Sequence, residues 1–359
     1  MITPSRAALS QRPPVFVPVA AAFLVPPASG DDGVLAWSWS KAWKDKGMSD
    51  HASWMPLEIT PKGIGTTPNA EGLRDYIGDA DKIDKLLTSE KALVFRGFGI
   101  SIGQLKSVMD LLLRNRLDYV HGNSPRTKVG DNIYTSTEYP PELAISMHNE
   151  LSYAAKWPMR LLFFCEMAAA TGGATPLADG ARWLDSLDRQ VRDSFSSGIR
   201  YVQNLPDGKG FGRSWQDTFE TGDRNEVEAY LSAAGATWEW KKRGLRVIQV
   251  RPATRRHPVT GAEVWFNQAD QWHPATLDNE IAAGLARIMA EEDLPHSVRF
   301  ADGTPIPEAS VLQIRDRGLG SAVDVGWRTG DLLLIDNVLV AHGRRTFTGS
   351  RRVLVAMSD

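Results

Sequence analysis

Apolar residues recur at helical spacing in three stretches of the chain. Leu105, Val108, Met109 and Leu112 follow Ser101 and Gln104, whose three-residue separation resembles a capping box, and they predict a helix with one buried face. Trp183, Leu187, Val191 and Phe195 predict a second helix, and Ile281, Leu285, Ile288 and Met289 a third, with Asp278 as its candidate N-cap. Strand patterns are more numerous and surround these helices: ALVFRGF at 92–98, NIYTSTE at 132–138, RLLFFCEMA at 160–168, RVIQVRP at 246–252, EVWFNQ at 263–268, DLLLIDN at 331–337 and RVLVAMS at 352–358. Their spacing is irregular, and no strand–helix alternation with a glycine-rich phosphate turn recurs. The pattern therefore predicts a mainly β fold, with flanking helices outside a β-rich core, in preference to a doubly wound parallel sheet. The loop LPDGKGFGR at 205–213 lacks the spacing of a phosphate-binding loop and reads as a surface turn or a lid.

With 359 residues, 42% of them hydrophobic and 23% charged, the chain is large enough to bury a sizeable core and keep water from a deep site. A net charge of −2 argues against a nucleic-acid partner. The basic runs KKRGLR at 241–246 and RPATRRH at 251–257 are short, lack an interleaved stacking platform, and read as solvated strand ends. A single cysteine, Cys165, excludes a disulfide framework and a cysteine metal cluster, and fits a reducing, cytoplasmic setting. The apolar stretch PPVFVPVAAAFLVPPAS at 13–29 is broken by five prolines and too short to span a bilayer, so an extended segment packed on the domain is expected. No other window approaches membrane-spanning length, and no membrane association is expected.

Candidate chemistry begins at SMHNELSY, 146–153, where a strand-like segment runs into a loop. Alternation along a strand would put His148 and Glu150 on one side. Alone, a His-x-Glu is a weak signal, and a surface pair near a strand end explains it equally well. His51, His121, His257, His273 and His296 stand in polar or proline-adjacent loops and read as surface groups, whereas His342 follows the apolar DLLLIDNVLVA, a strand that would carry it out of the core. Two imidazoles and one carboxylate on one face of an octahedral ferrous ion leave three positions open for substrates. Arg352 opens the terminal strand; such an arginine ordinarily marks a solvent end, but its guanidinium can also grip a carboxylate in two-pronged fashion. Thr175, after the turn TGGA at 171–174, can add a hydroxyl to the same carboxylate, although by itself it is a turn residue.

Taken in order, FRGFG at 95–99, HNE at 148–150, GGATPLADG at 172–180, DN at 336–337, HGR at 342–344 and GSRRVLVAMSD at 349–359 resemble the TauD/TfdA family of Fe(II)/2-oxoglutarate-dependent dioxygenases. The likeness is greatest to its clavaminate synthase-like and SyrP-like amino-acid oxygenases. It runs from about residue 90 to the C-terminus; residues before about 70 carry no recognisable motif. The resemblance implies a double-stranded β-helix, or jelly roll, in a single oxygenase domain over 1–359, with an N-terminal extension to about residue 70 and a helical and loop insert at about 181–325. It implies that His148, Glu150 and His342 ligate iron and that Arg352, helped by Thr175, pairs with the distal carboxylate of 2-oxoglutarate. Arg351 is the alternate should the register slip by one, because strand alternation forbids both from pointing inward. Two departures stand out: Glu150 replaces the commoner aspartate, and Ala356 stands where sulfonate oxygenases of the family carry a second arginine, which disfavours a sulfonate substrate.

The implied reaction uses dioxygen to oxidise an unactivated C–H bond of an amino acid or an amino-acid-derived small molecule, free or carrier-bound, with release of succinate and CO2. Hydroxylation is the default outcome, with desaturation or ring closure open to the same site. Candidate substrate contacts are Arg96, Asn123, Arg126, Trp265, Asn267 and Phe347. Four have a plain alternative: a strand-end charge for Arg96, core packing for Trp265 and Phe347, and a turn for Asn123. The rival readings are a metal-dependent lyase or hydrolase on the same barrel, which would not need the arginine, and a non-catalytic small-molecule binding protein.

Overall fold

In the computed structural model, which describes residues 54–124, 126–277, 284 and 287–359, two sheets face each other across an apolar core. The larger has seven strands in the order Leu57–Ile59, Ala92–Phe95, Leu332–Asp336, Arg160–Met167, Arg352–Ser358, Ile133–Thr135 and Lys128–Gly130. The smaller has four, in the order Val323–Val325, Thr175–Asp179, Val340–Arg344 and Ile145–His148. Pairing is antiparallel throughout both sheets except between the first two strands of the larger. Along the chain the strands alternate between the sheets. Ile133–Thr135, Arg160–Met167, Leu332–Asp336 and Arg352–Ser358 belong to the larger, and Ile145–His148, Thr175–Asp179 and Val340–Arg344 fall between them in the smaller. That winding is the double-stranded β-helix.

The larger sheet is buried on both faces. Val94, Phe163, Leu333, Val353 and Val355 meet Met147, Leu177, Val340 and Ala341 of the smaller sheet. On the other face Leu93, Phe95, Leu162, Phe164, Leu334 and Leu354 meet helices, among them Ile102–Leu112 through Leu105, Val108, Met109 and Leu112. That helix starts as its sequence predicts, the backbone N–H of Ser101 donating to Gln104 Oε1 at 3.1 Å. The second predicted helix forms as two, Gly180–Ser186 and Arg189–Ser194. Leu187 and Asp188 between them are extended, and the N–H of Asp188 donates to Gln313 Oε1 at 3.1 Å instead of continuing the helix. Most of the third lies outside the described residues, as do the 13–29 stretch and His51.

Between Gly180 and Val323 the chain builds a separate four-stranded sheet, ordered Thr237–Lys241, Gly244–Arg251, Ile199–Pro206 and His296–Phe300. Its helices Trp215–Phe219 and Arg224–Ala233 close a smaller core around Leu205, Trp215, Phe219, Val227 and Leu231. Among the described residues no helix is long and apolar enough to cross a membrane.

Two histidines expected at the surface are interior. His257, 2% exposed, lies with Nε2 2.9 Å from Asp336 Oδ2. His121 is fully buried, with Nε2 2.9 Å from Gln203 Oε1 and its ring stacked on Phe219 at 5.1 Å. Burial pushes the His121 imidazole down from 6.5 to about 4. The folded chain therefore binds fewer protons than the unfolded chain below pH 6.5, so this histidine destabilises the fold as the pH falls through that range, by on the order of 3 kcal/mol once the pH is below 4. The expected outcome is a urea midpoint that falls between pH 7 and pH 4.5 more steeply in the wild type than in His121→Gln, whose side chain cannot charge. Parallel losses would place the acid sensitivity elsewhere.

Candidate metal centre

His148 ends its strand directly opposite His342 on the neighbouring strand, Cα paired with Cα, so the two imidazoles lie side by side with ring centroids 4.3 Å apart. Glycine at 343 permits this approach, because a Cβ there would stand 2.5 Å from the carbonyl oxygen of Ile145. Glu150 joins them: its Oε2 is 4.0 Å from His342 Nε2, and one ligand atom from each of the three buried residues lies within 4.8 Å of the others. Strand alternation is not what brings Glu150 here. The strand stops at His148, and Glu150 sits in a tight turn that Leu151 closes with a φ of 57°. Asn337 holds that turn. Its Oδ1 accepts from the N–H of Glu150 at 2.8 Å, and its Nδ2 donates to the carbonyls of Glu150 at 3.1 Å and Pro158 at 2.8 Å. Asn149 Nδ2 returns a bond to the Asn337 carbonyl at 2.6 Å. Beside it, Asp336 Oδ1 accepts from the N–H groups of Val338 and Leu339, both at 2.9 Å, which turns the chain from Leu332–Asp336 into the strand of His342.

Burial lowers the pKa of His148, and that of His342 well below the usual imidazole value, so both are neutral at pH 7, the form that ligates metals. The Nδ1 of His148 lies 3.0 Å from the Ser146 carbonyl; the proton on Nδ1 follows from that contact, and Nε2 keeps its lone pair. The Nδ1 of His342 is buried without a partner. Two neutral imidazoles, a carboxylate and an orphaned ring nitrogen fit a borderline divalent ion such as Fe(II). Against Glu150 lies Arg126, its Nη2 2.5 Å from Oε2, with side chains 3% and 4% exposed, and its guanidinium 4.4 Å from the Tyr119 ring centroid.

His148 and His342 open into a cavity lined also by Arg126, Ser136, Phe163, Thr175, Arg344 and Arg351. Thr175 is buried, and its hydroxyl accepts from Trp327 Nε1 at 3.0 Å. Of the two adjacent arginines, Arg351 enters the cavity, its Nε donating to the Gly173 carbonyl at 3.1 Å. Arg352, expected there, lies on the other face of the sheet with a side chain 48% exposed and Nε 3.1 Å from Glu166. The reason is parity: Val353, Val355 and Met357 share the inward face with Arg351, and Leu354 and Ala356 the helix-covered face with Arg352.

Three expected substrate contacts are occupied by the fold. Arg96 is bound to Asp331 and Glu58, both at 2.9 Å, and to the Gly326 carbonyl. Trp265 is a core aromatic beside Phe195 and Trp183. Asn267 is fully buried, bonded through Nδ2 to the Ala253 carbonyl and through Oδ1 to the N–H of Ala269. Asn123 lies in the loop that leads to Arg126, its Oδ1 3.4 Å from the Ser124 hydroxyl. Phe347 stands beside the cavity, 5.2 and 5.6 Å from the guanidinium carbons of Arg344 and Arg351. Sequence reasoning missed the work of Asn337, although it quoted the residue; the signal was an Asp-Asn pair closing an apolar strand. It also passed over Arg344, which lies within HGR and donates to the carbonyls of Thr137, Tyr139, Pro140 and Leu143.

Asn337→Ala removes three buried hydrogen bonds, two to the backbone of Glu150 and one to the Pro158 carbonyl, and leaves their partners unpaired, a loss of about 3–5 kcal/mol of stability. Weaker holding of a ligand's neighbourhood lowers metal affinity by about 10- to 100-fold. Urea unfolding and Mn(II) titration measure the two effects, and wild-type metal affinity would separate Asn337 from the site.

The family described as taurine catabolism dioxygenase TauD, TfdA family matches residues 61–357. The dapdiamide synthesis protein DdaC of Enterobacter agglomerans is 38% identical over 280 residues, covering 77% of this chain and 84% of the relative. A clavaminate synthase-like protein of Arabidopsis thaliana is 32% identical over 289 residues, covering 77% and 83%. Among solved structures, a taurine dioxygenase from Burkholderia xenovorans is similar at 15% identity and a TM-score of 0.47, over 78% of this chain and 80% of that one. The family match across most of the chain and the two relatives above 30% identity establish that the protein belongs to the TauD/TfdA family of Fe(II)/2-oxoglutarate-dependent dioxygenases.

Proposed function

We propose that His148, Glu150 and His342 hold the ferrous ion, that Arg351 and Thr175 anchor the distal carboxylate of 2-oxoglutarate, and that the enzyme oxidises a C–H bond of an amino acid or an amino-acid-derived small molecule. The single observation that carries this reading is one buried cavity shared by both imidazoles, Thr175 and Arg351, with Glu150 beside it. When bound, iron and 2-oxoglutarate supply the redox chemistry on dioxygen, with succinate and CO2 as by-products.

The chain's own residues bind and orient. Arg351 stays cationic, its pKa pushed down by burial only to about 10. Because Thr175 accepts from Trp327, its hydroxyl proton is left to donate toward a carboxylate in the cavity. Phe163, 5.2 Å from the His342 ring, together with Ile145 and Val353, keeps that side of the cavity apolar and excludes water. The segment at about 181–325 acts in this reading as an insert that braces the site: Gln268 Nε2 donates to the Asn149 carbonyl at 2.9 Å and Gln271 Nε2 to the Ser146 carbonyl at 3.1 Å. The amino-acid class rests on the resemblance to amino-acid oxygenases and on a relative whose name places it in dapdiamide synthesis.

The test is succinate formation under air across a panel of L-amino acids with Fe(II) and 2-oxoglutarate. At least one member should raise it above the substrate-free rate. No rise with any member removes the amino-acid reading, and product without oxygen or 2-oxoglutarate would make the protein a lyase or hydrolase. For the anchor, Arg351→Ala should raise the 2-oxoglutarate requirement about 100-fold, the scale of a charge-assisted pair. Arg352→Ala should change it less than about threefold, because its half-exposed pair with Glu166 contributes under 1 kcal/mol. The opposite ranking would move the anchor to Arg352.

A further inference from the structure

Among the described residues that line the cavity are three guanidinium groups, those of Arg126, Arg344 and Arg351, and no carboxylate; Glu150 adjoins it through Arg126. The cations exceed the anion by two charges. Fe(II) and 2-oxoglutarate together are electrically neutral, so loading them leaves that excess in place. A buried surplus of positive charge is costly unless an anion shares the space.

The three arginines are not equivalent. Arg344 is engaged with four backbone carbonyls at 2.7–3.3 Å and ties down the 137–143 segment. Arg351 serves the oxo-acid in the reading above. Arg126 remains: Nη2 meets Glu150, while Nε and Nη1 are buried with no hydrogen-bond partner. Its plane is held from moving to solvent by the Tyr119 ring beneath it. A guanidinium this deeply buried, with two nitrogens unpaired and fixed beside a candidate metal ligand, has the form of an anion receptor.

Resting on the proposed function, we infer that Arg126 binds the carboxylate of the primary substrate, which for an amino acid is the α-carboxylate. The substrate would then be oriented from the Glu150 side of the metal centre, with 2-oxoglutarate anchored separately by Arg351. On the terminal strand the inward-facing positions after Arg351 are the apolar Val353, Val355 and Met357, so no second cation faces the cavity from there, and Arg126 supplies the charge from a different part of the chain.

The test is calorimetric binding to the full chain loaded with Mn(II) and 2-oxoglutarate. Four probe sets are used: L-amino acids, L-amino acid amides, carboxylic acids without an amino group, and the amides of those acids. Acids should bind, with the matching amides about 30-fold or more weaker, the loss expected when a charge-assisted pair is replaced by a neutral one. Measured at saturating Mn(II), Arg126→Gln should lose the same factor for the acid and Arg126→Lys should fall between, while the amides bind both variants as they bind wild type. Amides that bind wild type as tightly as acids overturn the inference without touching the metal or 2-oxoglutarate assignments. So does an equal loss of acid and amide binding in both variants, which would make Arg126 a prop for Glu150. Carboxylic acids that bind where amino acids do not support Arg126 and remove the amino-acid reading. If no set binds, both fall.

Discussion

The place where the strand Ile145–His148 stops decides the rest of the site. His148 is the last residue to pair with the strand of His342, and this pairing sets the distance between the two imidazoles. One residue more of regular strand would carry Glu150 along the sheet; the turn beginning at Asn149 swings it back beside His342 instead. A turn is a weaker scaffold than a strand, and the buried amide of Asn337 compensates with bonds to both the N–H and the carbonyl of Glu150. The candidate metal centre thus combines one rigid element, the strand pair, with one held by side-chain hydrogen bonds. Because Asn337 follows the residue that turns the chain toward His342, both halves are referred to the same corner of the fold.

Electrostatics reinforces this arrangement. Burial keeps both imidazoles neutral, which leaves the cationic arginines as the dominant charges in the cavity. Such a cavity discriminates by charge before it discriminates by shape. A cavity of that sign repels cationic small molecules and attracts anionic ones. Arg344 shows that an arginine here can also be architecture, since its donors meet carbonyls and hold the 137–143 segment beside the cavity.

Much of the architecture was legible because it rests on local pattern. The capping pair at Ser101 and Gln104 and the apolar strands at 92–95, 160–167 and 332–336 follow from periodicity and turn chemistry. The grouping of His148, Glu150 and His342 came from the motif and not from the alternation offered to explain it, since Glu150 is not in the strand. The choice between Arg351 and Arg352 was illegible for a physical reason. Where a sheet is covered on both sides, RVLVAMS is apolar at odd and even positions alike, and hydrophobicity carries no parity. Buried histidines such as His121 and His257 were misread because their partners, Gln203 and Asp336, are distant in sequence. Arg96 and Asn267 were offered as substrate contacts for the same reason: their partners were not visible from their neighbours.

The alternating route of the chain between the two sheets also sets a timetable. One imidazole emerges early in synthesis, at the end of Ile145–His148, and the other only with Val340–Arg344, after the whole four-stranded insert has been made. A growing polypeptide on the ribosome therefore carries two of the three candidate ligands, His148 and Glu150, well before the third, and the pocket closes only when the last strands zip into sheets begun long before. Such long-range closure is slow relative to local folding. If the three residues hold the ion as proposed, its capture becomes one of the final events in maturation, and a free ion meets a finished cage instead of a loose pair of ligands that would accept whichever cation came first.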